Sequence, residues 1–381
     1  MNRRAFLLAM LGSQGLMRSA LAEESRAAQR GSKGAGNGDS VAFAPVVPGR
    51  RLVFPDDYGA HPDFRTEWWY VTGWLRLPDG TSIGFQSTFF RVRTGIGEDN
   101  PSAFAPRQLI LAHAAIADPR LGRLRHDERI ARAAFDRAGF TRGRTHVWIG
   151  DWVFEQTGDG YHVLIPRSES GGFAYELQFS TPDAPLLNGT GGFSAKAPDP
   201  RHASYYYSRP QLKVAGTVTL DGRALPVTGL AWLDHEWSSE LLPSEAQGWD
   251  WTGINFDDGG ALMAFRLRRQ DGGPLWHAGT LRNGNQRNSD IHILMNNDLT
   301  LTPTREWASS RTGIRYPVQW QVRAGARTFD LAPLFDDQEL DSRRSTGNVY
   351  WEGAVRAQET GRTVGKGYLE LTGYDRRIWI G

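Results

Sequence analysis

The sequence predicts an all-β protein of antiparallel sheets closed into barrels, with few short helices. Three observations carry that prediction. Short runs rich in aromatic and β-branched residues follow one another along the chain, separated by Gly, Pro and Asp turns. The chain holds 14 Trp and 11 Tyr, and large rings with a polar tip suit strands and pockets for extended apolar ligands. One stretch of note, Asp127 to Ala134, reads as a helix, charged on one side and alanine-rich on the other. Closing such sheets into barrels removes their exposed edges. At 381 residues the chain is long enough for two domains, or for one large β domain.

The elements follow in order. Arg3-Arg4 precede a short apolar run from Ala5 to Leu11, and Ala20-Leu21-Ala22 offers a cleavage site, so residues 1–22 read as a twin-arginine signal peptide. A periplasmic or secreted protein is expected from it. Residues 23–48 are rich in Gly, Ser, Ala and charge and read as a disordered leader, with order beginning near Arg51. Glu67 to Leu77, a Pro78-Asp79-Gly80 turn and Ile83 to Phe90 form a hairpin. Further strands are expected at Leu109 to Ala117, Val147 to Phe154, Tyr161 to Ile165 and Ala174 to Phe179. Asp221-Gly222 turns a hairpin between Val214–Leu220 and Ala224–Trp232. The rhythm restarts at Trp249 and continues to Gly367–Leu371. A boundary near Leu241 to Glu245 divides the mature chain into a domain at 49–242 and a second at 243–381.

Composition excludes several functions. Cysteine is absent, which removes disulfides, thiolate nucleophiles and cysteine metal sites. The 44 basic and 42 acidic residues are spread along the chain, and no basic block marks a nucleic-acid footprint. No segment has enough uninterrupted apolar residues for a permanent anchor, which leaves at most transient membrane contact. There is no GxSxG, no phosphate-binding glycine loop and no HExxH or calcium loop. No cofactor is expected. Nothing in the sequence specifies an oligomeric state.

The chemistry concentrates in Trp232-Leu233-Asp234-His235-Glu236-Trp237. On a strand, Trp232, Asp234 and Glu236 share one face, while His235 points the other way. Two carboxylates beside an indole in a dry barrel interior would have raised pKa values, leaving one protonated near neutrality. The structural alternative is that both meet arginines and hold the protein together. The three polar residues cannot converge on one ion, so a metal is not expected. Asp57, His61 and Glu67-Trp68-Trp69-Tyr70 form a second polar-aromatic cluster, with Glu67 and Trp69 on one face and Trp68 and Tyr70 on the other. A buried Glu67 needs a partner, most simply an arginine, and His61 is either structural or a proton relay. Trp249-Asp250-Trp251, and Tyr350 to Glu352 with Tyr368 to Glu370, repeat the pattern of a carboxylate within two residues of rings. Four such clusters form either a shared pocket wall or several ion pairs between sheets.

Phe54 to Asp57 with His61, Glu67 to Gly73, Trp232 to Ser238, Tyr350 to Gly353 and Gly367 to Tyr374 together resemble the carotenoid 1,2-hydratase (hydroxyneurosporene synthase) and AttH-like family. The resemblance spans nearly the whole mature chain and implies tandem lipocalin-like barrels. It further implies an extended hydrophobic ligand, isoprenoid- or lipid-like, between or within the barrels, and a lyase that adds water to an isolated C=C bond. Asp234 would then donate the proton, with Glu236 raising its pKa. Trp232, Trp69 or Trp251 would stabilise the carbocation, beside Tyr70 and Glu67, and His235 or His61 would position water. Two alternatives stand beside it: a non-catalytic periplasmic lipid or isoprenoid carrier, and a pericyclase-like enzyme resembling fungal two-barrel proteins. An enzyme requires Asp234 buried at a cavity and free of arginine. A carrier is compatible with an Arg-clamped carboxylate far from any void.

Overall fold

The structure is a computed structural model that describes residues 41–180, 183–284 and 290–378. The expected signal peptide and most of the expected leader lie outside the described residues. The rest of the leader is packed rather than loose. Val46 is buried, the Val47 amide donates to the Tyr205 hydroxyl at 2.9 Å, and the Arg65 guanidinium lies 4.3 Å from the Phe43 ring centre.

The described chain is all-β, in two antiparallel sheets that curl into barrels. The first is built from β1 (Thr66–Arg76), β2 (Ser82–Arg93), β3 (Gln108–Asp118), β4 (Arg123–Arg132), β5 (Ala138–Phe140), β6 (His146–Ile149) and β7 (Trp152–Thr157). It continues with β8 (Gly160–Ile165), β9 (Phe173–Ser180), β10 (Leu186–Leu187), β11 (Phe193–Ala195), β12 (Ala203–Leu220) and β13 (Arg223–Ser238). Its order is β4-β3-β2-β1-β13-β12-β9-β8-β7-β6-β5, with β10 and β11 on β12. The second comprises β14 (Gly248–Phe256), β15 (Ala261–Arg268), β16 (Pro274–Arg282), β17 (Ile291–Met295) and β18 (Leu299–Ala308). Then come β19 (Arg315–Ala324), β20 (Arg327–Pro333), β21 (Glu339–Ser342), β22 (Asn348–Glu359) and β23 (Arg362–Leu371). Its order is β17-β16-β15-β14-β23-β22-β20-β19-β18, with β21 on β22.

Two expectations are corrected. Asp127 to Ala134 is not helical: β4 runs through it, pairing with β3 from Leu109 opposite Arg132 to Asp118 opposite Arg123. Its alanines favour a helix only weakly, and a full ladder of pairing outweighs that preference. Val147 to Phe154 is two strands, because Gly150 takes a φ of +61° and turns the chain between β6 and β7. Among the described residues, helix is limited to two 3₁₀ turns, at Asp56–Tyr58 and Asn296–Asp298. None is long and apolar enough to cross a membrane.

The alternation of β1 and β13 divides the molecule into layers. Trp69, Val71, Phe89 and Leu233 point into the first barrel. Tyr70, Trp74 and Trp232 point out of it, against Trp251, Phe265 and Tyr368 of the second. Ile254, Phe256, Trp320 and Leu369 fill the second barrel. The seam is tied by polar bonds as well. The Trp74 indole donates to the Gly367 carbonyl at 3.0 Å, and Asn255 donates to the Ala231 carbonyl at 2.9 Å. A bulge between Arg209 and Leu212 puts Gln211 at a φ of +59°. That bulge turns the Gln211 amide outward, so that it donates to Asn255 at 2.8 Å.

Candidate functional site

Between the barrels lies a cavity of about 330 Å³. Its apolar wall comes from the outer faces of β1 to β4, among them Trp68, Phe90, Leu111 and Ile130. Trp249, Trp251 and Phe265 close it from the second barrel. Four carboxyl groups line the same space: Asp234 and Glu236 from β13, Glu352 from β22 and Glu370 from β23. The four polar-aromatic clusters of the sequence thus each send side chains to one cavity, with Tyr70 from the Glu67 cluster and Trp249 and Trp251 from the third.

The carboxylates face the opposite way from the sequence expectation. Trp232, Asp234 and Glu236 do share a face, but it is the outer face of the first barrel rather than its interior.

Asp234 is 3% exposed, and its partners are hydroxyls and an indole rather than a guanidinium. Ser208 donates to Oδ1 at 2.5 Å, the Trp232 indole to Oδ1 at 2.7 Å, and Tyr206 to Oδ2 at 2.6 Å. The Trp251 indole in turn donates to the Tyr206 hydroxyl at 2.9 Å. Burial pushes the Asp234 carboxyl up to about 7 against those three bonds, and the charge of Glu236 adds to the push. Glu236 itself is neutralised by Lys196, 2.9 Å away, and accepts from the Ser204 hydroxyl. The Lys196 ammonium sits 4.0 Å from the Phe265 ring centre.

Among the described residues no ion pair reaches the acids of the far wall. Desolvation pushes Glu370 up to about 8 in spite of Trp249, and the charges of Asp234 and Glu236 contribute. Burial and the charge of Glu370 hold Glu352 well above the carboxylate range, with Tyr70 donating to it. The cavity therefore presents neutral carboxyl groups near pH 7, able to give hydrogen bonds or protons.

The other expected residues do not line this cavity, and Trp232 is packed in the seam with its indole spent on Asp234. Trp69, Glu67, His61 and His235 lie on the inner side of β1 and β13, where they plug one end of the first barrel. Arg91 donates to Glu67 Oε2 at 2.8 Å, while His61 Nδ1 and His235 Nε2 meet Oε1 at 2.8 and 2.9 Å. His61 Nε2 pairs with Asp57 at 2.9 Å, and its ring stacks 3.7 Å above Trp237. Trp69 stacks on His235 at 4.9 Å. Burial alone would lower the His61 pKa, but the charge of Glu67 and the bonds to Asp57 and Glu67 outweigh it and raise the value. Glu67 moves the other way: burial is overcome by the charges of Arg91 and His61, which hold it well below its ordinary range. Among the described residues, His61, Glu67 and His235 form a group with the composition of a metal site. Their donor atoms already bond one another beside a buried guanidinium, which repels a cation, so the network does not suit a metal.

Sequence reasoning left out Tyr206, Ser208, Lys196, Glu352, Glu370 and His113. Glu352 and Glu370 lie in clusters that were noticed. His113 carried a signal of its own, a single imidazole inside the apolar run Leu109 to Ala117.

Known proteins show the same architecture. An AttH-like protein of Nitrosomonas europaea, solved at 2.00 Å, is 47% identical, with a TM-score of 0.81 over 87% of this chain and 99% of that one. Kievitone hydratase from Nectria haematococca is 14% identical, with a TM-score of 0.63 over 87% of this chain and 96% of its own. CghA is 13% identical, with a TM-score of 0.51 over 90% of this chain and 98% of its own. At those identities the last two share the fold alone. Among curated protein sequences none matches this chain. The AttH-like sequence profile matches residues 45–374, and with the Nitrosomonas europaea relative this establishes that the chain belongs to the AttH-like family.

Proposed function

We propose that this protein binds an extended apolar molecule, isoprenoid- or lipid-like, in the cavity between its barrels and adds water across an isolated C=C bond. One observation carries the reading. Asp234 is buried at the cavity wall, has no cationic partner among the described residues, and holds its proton up to about pH 7. A group that titrates near the working pH is suited to general acid catalysis.

The geometry suggests the route. Protonated Asp234 passes its Oδ2 proton to the oxygen of Tyr206, a residue of the cavity lining, as that hydroxyl gives its own proton to the alkene carbon. A C–H bond forms, the π bond breaks, and a tertiary carbocation remains beside the Asp234 carboxylate. The indoles of Trp249 and Trp251 stabilise such a cation by about 1–2 kcal/mol each when water is excluded. A water oxygen then bonds to the cation, and the oxonium proton returns to the pocket carboxylates.

Asp234→Asn tests this. Incubated with an acyclic isoprenoid alkene in ¹⁸O-labelled water, the wild type is expected to give the labelled tertiary alcohol, detected by mass spectrometry. The variant is expected to lose about a hundredfold or more of the rate while keeping its affinity, as removal of a general acid predicts. Absence of labelled alcohol from the wild type, with the alkene bound, would sink the hydratase reading. The carrier reading would then stand, favoured by the three hydrogen bonds that already satisfy Asp234 as a structural group.

A further inference from the structure

A chain of hydrogen bonds leads from the cavity to the protein surface through residues the proposed reaction does not use. His113 on β3 is fully buried. Its Nδ1 meets the Tyr350 hydroxyl at 2.7 Å, and its Nε2 meets Ser345 Oγ at 2.8 Å. Ser345 Oγ donates to Glu128, whose carboxylate also accepts the Ser345 amide at 2.9 Å and the Arg344 amide at 3.2 Å. The Ser342 carbonyl, at 3.3 Å, is the weaker acceptor for that hydroxyl.

The two ends open on different spaces. Tyr350 lines the cavity between the barrels. Glu128 lines a second cleft of about 540 Å³, with Asp127, Arg129, Glu169 and Arg344 around it. Ser345 borders both. Among the more exposed lining residues Val92, Leu109, Ile130 and Leu242 are apolar, while Thr346 and Asn348 are polar and lie beside Ser345.

Elementary valence fixes the direction of every bond. Burial, aided by the neighbouring His126, lowers the His113 pKa to about 3, so the ring is neutral and carries one N–H. Ser345 spends its single proton on Glu128, so His113 Nε2 must donate to Ser345. Nδ1 is then bare and accepts from Tyr350. The four groups form one continuous, unidirectional wire.

We propose that Tyr350, His113, Ser345 and Glu128 conduct protons between the cavity carboxyl groups and the outer cleft. In one outward pass a cavity water protonated by a pocket acid gives its extra proton to Tyr350 while Tyr350 protonates Nδ1. In the same pass Nε2–H passes to Ser345, and Ser345 passes its proton to Glu128. Four bonds to hydrogen break and four form. The ring ends as its other neutral tautomer, and Glu128 ends as the free acid, which releases its proton to the cleft. The wire then points inward, ready for the return. No step leaves charge on the buried imidazole, as its lowered basicity demands. The inference goes beyond the hydration reading, since it needs only cavity acids that change their protonation.

The test needs no ligand. A rapid jump to high pH draws protons out of the pocket, in the direction in which the resting wire points, and the infrared carbonyl band of the protonated acids, assigned by its loss in Asp234→Asn and Glu370→Gln, is followed in time. Ser345→Ala and Tyr350→Phe each break one link. Both are expected to leave the equilibrium titration unchanged and to slow the fall of the band by about tenfold or more, and Ser345→Thr, which keeps the hydroxyl, restores the rate. Thermal melting verifies that each variant is folded, and Tyr350→Phe stands alone if Ser345→Ala does not fold. A band that falls as fast in the folded variants as in the wild type overturns the conduit, whether or not the protein hydrates anything.

Discussion

Asp234 is stabilised as an anion by three donors, yet the protein holds it as an acid. An isolated carboxylate taken out of water loses several kcal/mol of hydration, more than two hydroxyls and an indole return. The consequence for stability has a definite sign. In the unfolded chain the carboxyl titrates near 3.8, and in the folded protein near 7. Between those values the folded state binds more protons, so stability falls as pH rises and levels off above about 7. Glu370, raised from 4.5 to about 8, contributes a slope of the same sign over a slightly higher window. His61, also raised, stabilises below its unfolded value near 6.5, and that contribution is lost as pH climbs through its folded value. Urea unfolding measured from pH 5 to 8 is expected to show wild-type stability declining. Asp234→Asn should remove a part of that decline worth a few kcal/mol, leaving the His61 part in place. An unchanged slope in the variant would mean that Asp234 is ionised in the folded protein after all.

The pairing of β1 with β13 separates two kinds of buried polar chemistry by one peptide unit. Trp68 opposite Glu236 and Tyr70 opposite Asp234 face the cavity, while Glu67 opposite Trp237 and Trp69 opposite His235 face the barrel end. On the inner side every charge has a partner. Glu67→Gln leaves the Arg91 guanidinium buried beside a neutral amide, and a broken buried pair costs about 3–5 kcal/mol. Denaturant unfolding is expected to register that loss at pH 7, and to find the gap narrowing as pH falls. Glu67 has a lowered pKa, so its stabilisation is present above about 4.5 and lost as pH drops through the folded value. This pair of strands also marks the limit of what could be read in advance. Period-two alternation grouped Trp232 with Asp234 and Glu236, and Glu67 with Trp69, and those groupings are the ones observed. Alternation carries no sign, however. Which group enters the barrel depends on the direction in which the sheet closes, and that is set by pairings far along the chain. Hence the carboxylates were expected inside and lie outside. Glu352 and Glu370 reach the same cavity because β22 and β23 of the second barrel pack against β1 and β2 of the first, a contact with no local signature.

The cavity lies where two barrels meet at a closely packed seam, and Gly84 on β2 measures that closeness. A Cβ at this position would lie 2.5 Å from the Tyr368 hydroxyl and 2.8 Å from the Ala354 Cβ, both across the seam. The tyrosine tip has some freedom, but Ala354 belongs to β22 and moves only with its strand. Two effects compete in Gly84→Val. Strand propensity favours valine over glycine by up to about 1 kcal/mol. Overpacking a filled interface costs about 1–3 kcal/mol, and here it can be relieved only by parting the barrels. The second effect wins, so the variant is expected to be less stable by roughly 1–2 kcal/mol, the difference of the two. The form of unfolding should change as well. With the seam intact, tryptophan fluorescence, weighted toward the seam, and far-UV circular dichroism, which reports both sheets, should fall in one coincident transition. In Gly84→Val the fluorescence change should precede the loss of sheet, because the seam opens before either barrel melts. Coincident curves with increased stability would show that the barrels can separate at no cost. The cavity between them would then be a consequence of loose packing rather than a chamber the fold maintains.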